Sequence, residues 1–174
     1  MLRARGEYII FADADGASTF ADIQLLEEQM RTIRNADGYG VVVGSRAHLV
    51  ETDAVVQRSL VRNLLMYAFH AYVHLLGIKS IKDTQCGFKL FSRKAAARVF
   101  PNVHVDGWIF DIELFVIVEK CNIPVAEVPI RWEEVDGSKM SLMRDAITMA
   151  LDLLIIRLNY WLGIWTIGKV KRKR

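Results

Sequence analysis

Apolar residues fall along this chain in two rhythms, short unbroken runs and longer stretches with one polar side, and the two rhythms alternate. Tyr8-Ile9-Ile10-Phe11-Ala12 and Val41-Val42-Val43 are short, β-branched or aromatic, and bounded by glycine or charge, so both read as buried strands. A compact turn from Asp83 runs into a third strand through Phe88-Lys89-Leu90-Phe91, and residues 123–132 alternate into a fourth. Between them, residues 20–34 and 94–100 read as helices, the second with Ser92 placed to cap it, and another helix starts near Trp108. Strand-like and helix-like segments in alternation predict an α/β class, and 174 residues suit one domain with a real core.

Two segments are apolar on more than one side. In residues 141–167 a narrow polar stripe of Asp145, Thr148, Asp152 and Asn159 recurs at helical spacing within a wide apolar face. Tyr160, Trp161, Trp165 and Arg157 beside the basic end Lys169-Val170-Lys171-Arg172-Lys173-Arg174 predict an interfacial helix, with aromatics at headgroup depth and cations on phosphates. Asp152 and Arg157 interrupt the run and argue against a spanning helix. Residues 57–77 repeat the theme, and an ordinary buried helix pair is the competing reading of both segments.

Charge and cysteine usage change this picture little. The net charge of +3 is unevenly placed, because the chain ends in a basic tail, which favours an anionic surface, membrane or nucleic acid. Cys86 and Cys121 make neither a disulfide scaffold nor a metal cluster, so a reduced compartment is expected. The first residues, Met1-Leu2-Arg3-Ala4-Arg5, have the pattern of neither a signal peptide nor a membrane anchor.

The candidate chemistry begins where the first strand ends, at Ala12-Asp13-Ala14-Asp15-Gly16. Side chains alternate along a strand, so Asp13 and Asp15 are expected on one side, facing a divalent metal that carries phosphate oxygens. Asp, Gly, Ser and Thr are also ordinary turn and cap residues, which is the plainer reading. An EF-hand loop fails, because Ala17, Ser18, Thr19, Phe20 and Ala21 follow where oxygen ligands should stand. Aspartyl-nucleophile phosphatases open with the same Asp-x-Asp-Gly turn and stay open at this point. Arg46 ends the second strand, suited to grip a phosphate, and Arg58 and Arg62 share one face of the next helix. Asp111 and Glu113 stand at a helix start, where the dipole stabilises negative charge and capping alone would explain Asp111. The loop Glu133-Glu134-Val135-Asp136-Gly137-Ser138-Lys139 has the small residues and the lysine to close over a diphosphate.

The order of these pieces resembles the family 2 glycosyltransferases of the GT-A fold, and within them the polyprenyl-phosphate sugar transferases. The likeness rests on Ala12-Asp13-Ala14-Asp15-Gly16-Ala17, Gly44-Ser45-Arg46-Ala47-His48-Leu49, Asp83-Thr84-Gln85-Cys86-Gly87-Phe88-Lys89-Leu90-Phe91, Phe110-Asp111-Ile112-Glu113-Leu114 and Gly137-Ser138-Lys139, and runs from about Gly6 to about Trp165. Mannosyl members tend to follow the acidic pair with Leu-Gln; Gly16 and Ala17 stand there in this chain, which favours the glucosyl branch.

The resemblance implies a partial GT-A fold over residues 1–140 and an amphipathic interfacial helix with a basic tail over residues 141–174. It implies transfer of glucose from UDP-glucose to dolichyl phosphate with inversion, at the cytosolic face of the endoplasmic reticulum membrane, with no nucleic acid partner. Asp13 and Asp15 would hold Mg²⁺ or Mn²⁺; Arg131, Ser138 and Lys139 would bind the donor diphosphate; Arg46 and Arg58 the acceptor phosphate; and Asp83, Asp111 and Glu113 would be the catalytic residues lining the sugar pocket. Family members carry a membrane helix and uridine-binding elements before the acidic pair, so this chain is expected to be the C-terminal portion of such an enzyme. The alternatives are a mannosyltransferase-like enzyme, an aspartyl phosphatase, and a noncatalytic membrane-binding fragment.

Overall fold

A computed structural model describes residues 1, 3–49, 81–133 and 142–168. The apolar helix expected at residues 57–77, with Arg58 and Arg62, and the loop with Ser138 and Lys139 lie outside the described residues. Four strands form one mixed sheet: β1 (Tyr8–Ala12), β2 (Val41–Ser45), β3 (Phe88–Ser92) and β4 (Val125–Pro129), in the order β1-β3-β2-β4. β3 runs antiparallel to both β1 and β2, with Phe11 opposite Lys89 and Val43 opposite the same lysine, while β2 and β4 are parallel. The α/β expectation is borne out.

The unbroken apolar runs become the inner strands because both of their faces are covered. β2 and β3 are buried at every position, as expected for strands with packing on both sides of the sheet. The helices are α1 (Ile23–Ile33), α2 (Arg93–Val99), α3 (Phe110–Lys120) and α4 (Leu142–Trp161). Single 3₁₀ turns precede α1 at Phe20–Asp22 and α3 at Gly107–Ile109, so both helices start slightly later than the apolar pattern suggests. Ser92 caps α2 as predicted: its hydroxyl accepts from Ala95 N at 3.2 Å, and it also accepts from Gly40 N at 3.2 Å, tying the helix start to the loop before β2. α3 is buried from Asp111 through Val118, and a helix enclosed on all sides is the one whose apolar residues need no stripe.

α4 carries two apolar faces. Met149, Leu153, Ile156 and Tyr160 are buried in the core, whereas Ile147, Leu151, Leu154, Ile155, Leu158 and Trp161 are exposed on other sides of the same helix. Two of the aromatics expected at headgroup depth turn inward instead. Tyr160 is only 8% exposed, and the Trp165 indole stacks on the His104 ring at 4.4 Å with the planes 6° apart. Only Trp161, at 81% exposure, points outward as expected. Among the described residues no helix is long and apolar enough to cross a membrane.

Candidate active site

Charged residues from distant parts of the chain converge where β1 and β2 end and β3 begins. The β1–β3 ladder continues one bond past the strand, with Asp13 N donating to Gly87 O at 2.8 Å. There the pleat stops. Asp13 to Gly16 form a turn, with Gly16 in the left-handed region at φ 79°, and Asp15 Oδ1 accepts from Ala17 N at 3.0 Å. The acidic pair is therefore presented by a turn built on an Asx bond rather than by strand alternation. Neither aspartate caps the following 3₁₀ turn, whose N-cap residue is Thr19.

Glycine at 87 is a requirement of Asp13. A Cβ there would lie 1.8 Å from Asp13 Oδ2 and 2.7 Å from Oδ1, and the three atoms nearest to it all belong to that carboxylate. Burial pushes the Asp13 carboxyl above its usual range and the neighbouring Asp15 charge adds to the push, while Lys89 and Arg46 oppose it.

Arg46 and Asp83 form a fork. Arg46 N and Nε donate to Asp83 Oδ2 at 2.9 and 2.8 Å, and Nη2 donates to Oδ1 at 2.9 Å. Burial raises the Asp83 carboxyl, but the bonds from Arg46 outweigh it and hold the group below its usual range. The guanidinium also lies 5.3 Å from the centre of the Trp132 ring. Glu127 on β4 secures the same loop, accepting from Lys82 N at 3.0 Å and Asp83 N at 2.8 Å. Two residues expected on different substrates, Arg46 on the acceptor phosphate and Asp83 on the sugar, are thus each other's partner.

Asp111 does not cap α3; it meets Lys89. Lys89 Nζ lies 2.8 Å from Asp111 Oδ1, with side-chain exposures of 0% and 10%. The same Nζ donates to Cys86 O at 2.5 Å. Asp111 Oδ1 is buried and among the described residues receives no hydrogen bond of good geometry. Burial pushes the Asp111 carboxyl up, and Lys89 pulls it down.

Two further expected site residues have protein partners of their own. Glu113 is fully buried, and both its oxygens are engaged: Oε2 accepts from His104 N at 2.7 Å and Val105 N at 2.8 Å, while Oε1 accepts from Tyr160 OH at 3.0 Å and sits 2.8 Å from His104 Nδ1. A carboxylate enclosed in this way holds the loop before α3 and the end of α4, and it does not line a pocket. Arg131 grips Asp22, with Nη2 2.5 Å from Oδ1 and the backbone N donating to Oδ2 at 2.7 Å. Its guanidinium is directed at the start of α1, yet its side chain is 69% exposed. Thr19 N donates to Arg131 O, and Glu133 N to Ala17 O, so the segment that carries Arg131 runs beside the acidic turn.

The metal implied by the family fits the donors present. Among the described residues no group of three or more His, Cys, Asp or Glu could hold an ion alone. Mg²⁺ is commonly held by one or two carboxylates, with water and substrate phosphates completing its shell. Asp13 and Asp15 form such a pair: their mutual repulsion, part of what raises Asp13, is what a cation would relieve.

Lys89, Gly87, Glu127 and Asp22 were not singled out by pattern. Lys89 carried the clearest unused signal, a lysine inside an otherwise apolar strand core.

With this geometry in view, the chain is similar over almost its whole length to curated glycosyltransferases. Three of these relatives bear one name, dolichyl-phosphate beta-glucosyltransferase. That of Saccharomyces cerevisiae is 51% identical, the alignment covering 97% of this chain and 52% of the relative. That of Dictyostelium discoideum is 50% identical, covering 96% and 51%, and that of Homo sapiens is 45% identical, covering 97% and 52%. The resemblance carried by the motifs is borne out. The chain spans about half the length of the curated relatives it matches. No family model matches it.

Two tests follow from the geometry. Gly87→Ala should destabilise the full-length protein by about 1–3 kcal/mol through overpacking, and most of that loss should vanish in an Asp13→Ala background, where the clashing carboxylate is gone. Urea unfolding of the two single variants and the double variant measures the coupling, and additive effects would show that Asp13 is not what Gly87 accommodates.

The second concerns pH. Because the folded Asp83 carboxyl is held below the unfolded value of 3.8, its contribution to stability is complete above that value and is lost as pH falls through the folded one. Asp83→Asn should therefore lower stability near pH 7 by about 1.5–3 kcal/mol and flatten the acid side of the stability curve. An equally steep acid loss in the variant would assign that loss to other carboxylates.

Proposed function

We propose that the protein transfers glucose from UDP-glucose to dolichyl phosphate, giving dolichyl β-glucosyl phosphate and UDP, at the cytosolic face of the endoplasmic reticulum for N-linked glycan assembly. The observation that carries this reading is the meeting of Asp13, Arg46, Asp83, Lys89 and Asp111 at one end of the sheet in a chain similar to enzymes of that name. The mixed sheet with this cluster at its strand ends supports a partial GT-A fold. Gly16 and Ala17 after the acidic pair, together with the relatives' names, favour glucose over mannose and a transferase over a phosphatase.

In this mechanism an oxygen of the acceptor phosphate attacks the anomeric carbon as the bond to the UDP diphosphate breaks, with inversion. A phosphate monoester is already anionic near neutral pH, so strong general-base help is not required. The chain's part is orientation and charge placement. Asp13 and Asp15 would hold Mg²⁺ or Mn²⁺, which supplies neutralisation of the leaving diphosphate. Arg46, with Nε and Nη2 bound to Asp83, would turn Nη1 to the acceptor phosphate, where Arg58 would join it. Asp83 and Asp111 would border the sugar. Ser138 and Lys139 would close on the diphosphate, and Arg131 would reach it by exchanging Asp22 for phosphate oxygens.

The exposed apolar face of α4, followed in sequence by the tail from Lys169 to Arg174, supports a membrane-interface role for residues 141–174. A continuous apolar stripe in water is unusual for a soluble monomer, and apolar burial with adjacent cations is the combination that binds anionic bilayers.

The full-length enzyme should transfer labelled glucose to dolichyl phosphate only with a divalent metal. Asp15→Ala should reduce the rate on the order of a thousandfold, since one carboxylate of the pair is lost. Full activity of that variant in EDTA would remove the metal role, and transfer from GDP-mannose in preference to UDP-glucose would replace the donor.

Liposome flotation tests the other half of the proposal. Leu151→Glu with Leu158→Glu should reduce binding to anionic vesicles by about tenfold or more, because charge is placed on the face that must enter the lipid. Unchanged flotation with intact folding would assign that face to another contact.

A further inference from the structure

Lys89 is the one lysine among the described residues whose side chain is completely buried, and the packing of a fold does not explain it. It occupies β3 between β1 and β2, the interior of the sheet, with its Nζ 5.9 Å from the centres of both the Phe11 and Phe115 rings. Taking an ammonium out of water costs several kcal/mol, and replacing a buried ion pair with apolar residues of similar volume is often neutral or stabilising. A lysine kept here is better explained by what its charge faces. Its reach ends 2.8 Å from Asp111 Oδ1, and its field also acts on Asp13 and Asp83. Arg46, the other cation of the cluster, is engaged by Asp83. Among the described residues no second cation is paired with Asp111, whose charged neighbours there are Lys89, Asp13 and Asp83.

The angle of the contact matters as well. Lys89 Nζ gives a hydrogen bond to Cys86 O, while Asp111 Oδ1 takes ion-pair contact without a hydrogen bond of good geometry. Asp111 is therefore anchored through Oδ1 by the ammonium of Lys89. Oδ1 is the buried oxygen of the carboxylate, set against Lys89, while the side chain as a whole is still 10% exposed, so Oδ2 is the oxygen that can meet a ligand.

We propose that Lys89 is a positioning residue for the glycosyl transfer: a buried counter-ion that holds the Asp111 carboxylate charged and oriented toward the bound sugar, where it accepts hydroxyl hydrogen bonds. This rests on the transferase reading above. Lys89 touches neither substrate; it acts through Asp111, and Cys86 O fixes the direction of its ammonium.

The test uses the full-length enzyme with UDP-glucose, dolichyl phosphate and metal, and the variants Lys89→Met, Lys89→Arg, Asp111→Asn and the double variant Lys89→Met/Asp111→Asn. Per folded molecule, Lys89→Met should lower kcat on the order of a hundredfold, with the KM for dolichyl phosphate within about threefold of the wild-type value. Asp111→Asn and the double variant should show the same loss, because Lys89 works only through Asp111. Lys89→Arg, which keeps the charge, should recover part of the rate. A kcat for Lys89→Met within threefold of wild type, or losses that multiply in the double variant, would overturn the proposal.

Thermal unfolding of the same four proteins gives a readout that needs no activity. Lys89→Met strands a buried carboxylate and should lower Tm, and adding Asp111→Asn should restore most of it; additive losses would overturn the pairing itself. If the wild-type enzyme transfers no glucose, the functional reading falls, and this cycle alone decides whether Lys89 governs Asp111.

Discussion

Charge that is drawn below the surface at the ends of strands must be balanced where it lies, and that constraint organises this protein. Asp83 takes Arg46, and Asp111 takes Lys89. Each pairing ties two elements together: the first joins the end of β2 to the loop before β3, and the second joins β3 to the first turn of α3. Once those cations are committed, Asp13 and Asp15 remain as two neighbouring carboxylates on one turn. A divalent ion is the economical counter-charge for such a pair. The pairs also explain the two glycines of the site. Gly87 lets the Asp13 carboxylate lie against the backbone, and Gly16 turns the chain away behind it.

The fold was readable in the sequence wherever one physical signal dominated. Apolar runs of strand length became β2 and β3 because both sheet faces are covered, and Ser92 announced its helix because a hydroxyl in that place has an unpaired backbone N–H to satisfy. The acidic pair was found by spacing, but its presentation was misread, since pleat alternation stops at Ala12 and an Asx turn takes over. The roles within the site were less legible because partner choice is a tertiary matter. Arg46, Asp83, Asp111 and Glu113 all looked like ligand-binding groups in one dimension. In three, Glu113 is spent on His104, Val105 and Tyr160, and Arg46 is shared with Asp83. Burial separates a carboxylate that serves a ligand from one that serves the fold, and local sequence does not report it.

Glu113 serves the fold in this way. It sits on the first turn of α3, two residues after Asp111, and its oxygens reach both the loop at His104 and the hydroxyl of Tyr160 near the end of α4. Burial and the Glu113 charge raise the Tyr160 hydroxyl above its usual range, so it stays a donor to that carboxylate. The ring of His104 is sandwiched into the same cluster by Trp165. Tyr160 and Trp165, two of the aromatics expected at headgroup depth, are thus part of the fastening between α4 and α3.

That fastening gives the two faces of α4 a common logic. Its inner face reaches, through Tyr160 and Glu113, the turn on which Asp111 is held against Lys89. Its outer face, from Ile147 to Trp161, is apolar and exposed. In the proposed enzyme one helix would then meet the bilayer on one side and brace the sugar side of the site on the other. A lipid-borne phosphate must arrive at a fixed depth to line up with a soluble sugar donor, and a brace of this kind sets that depth by rigid contact. Flexible attachment would leave the distance between bilayer and carboxylate to fluctuate, and misplacement on the ångström scale is enough to forfeit much of the advantage of orientation.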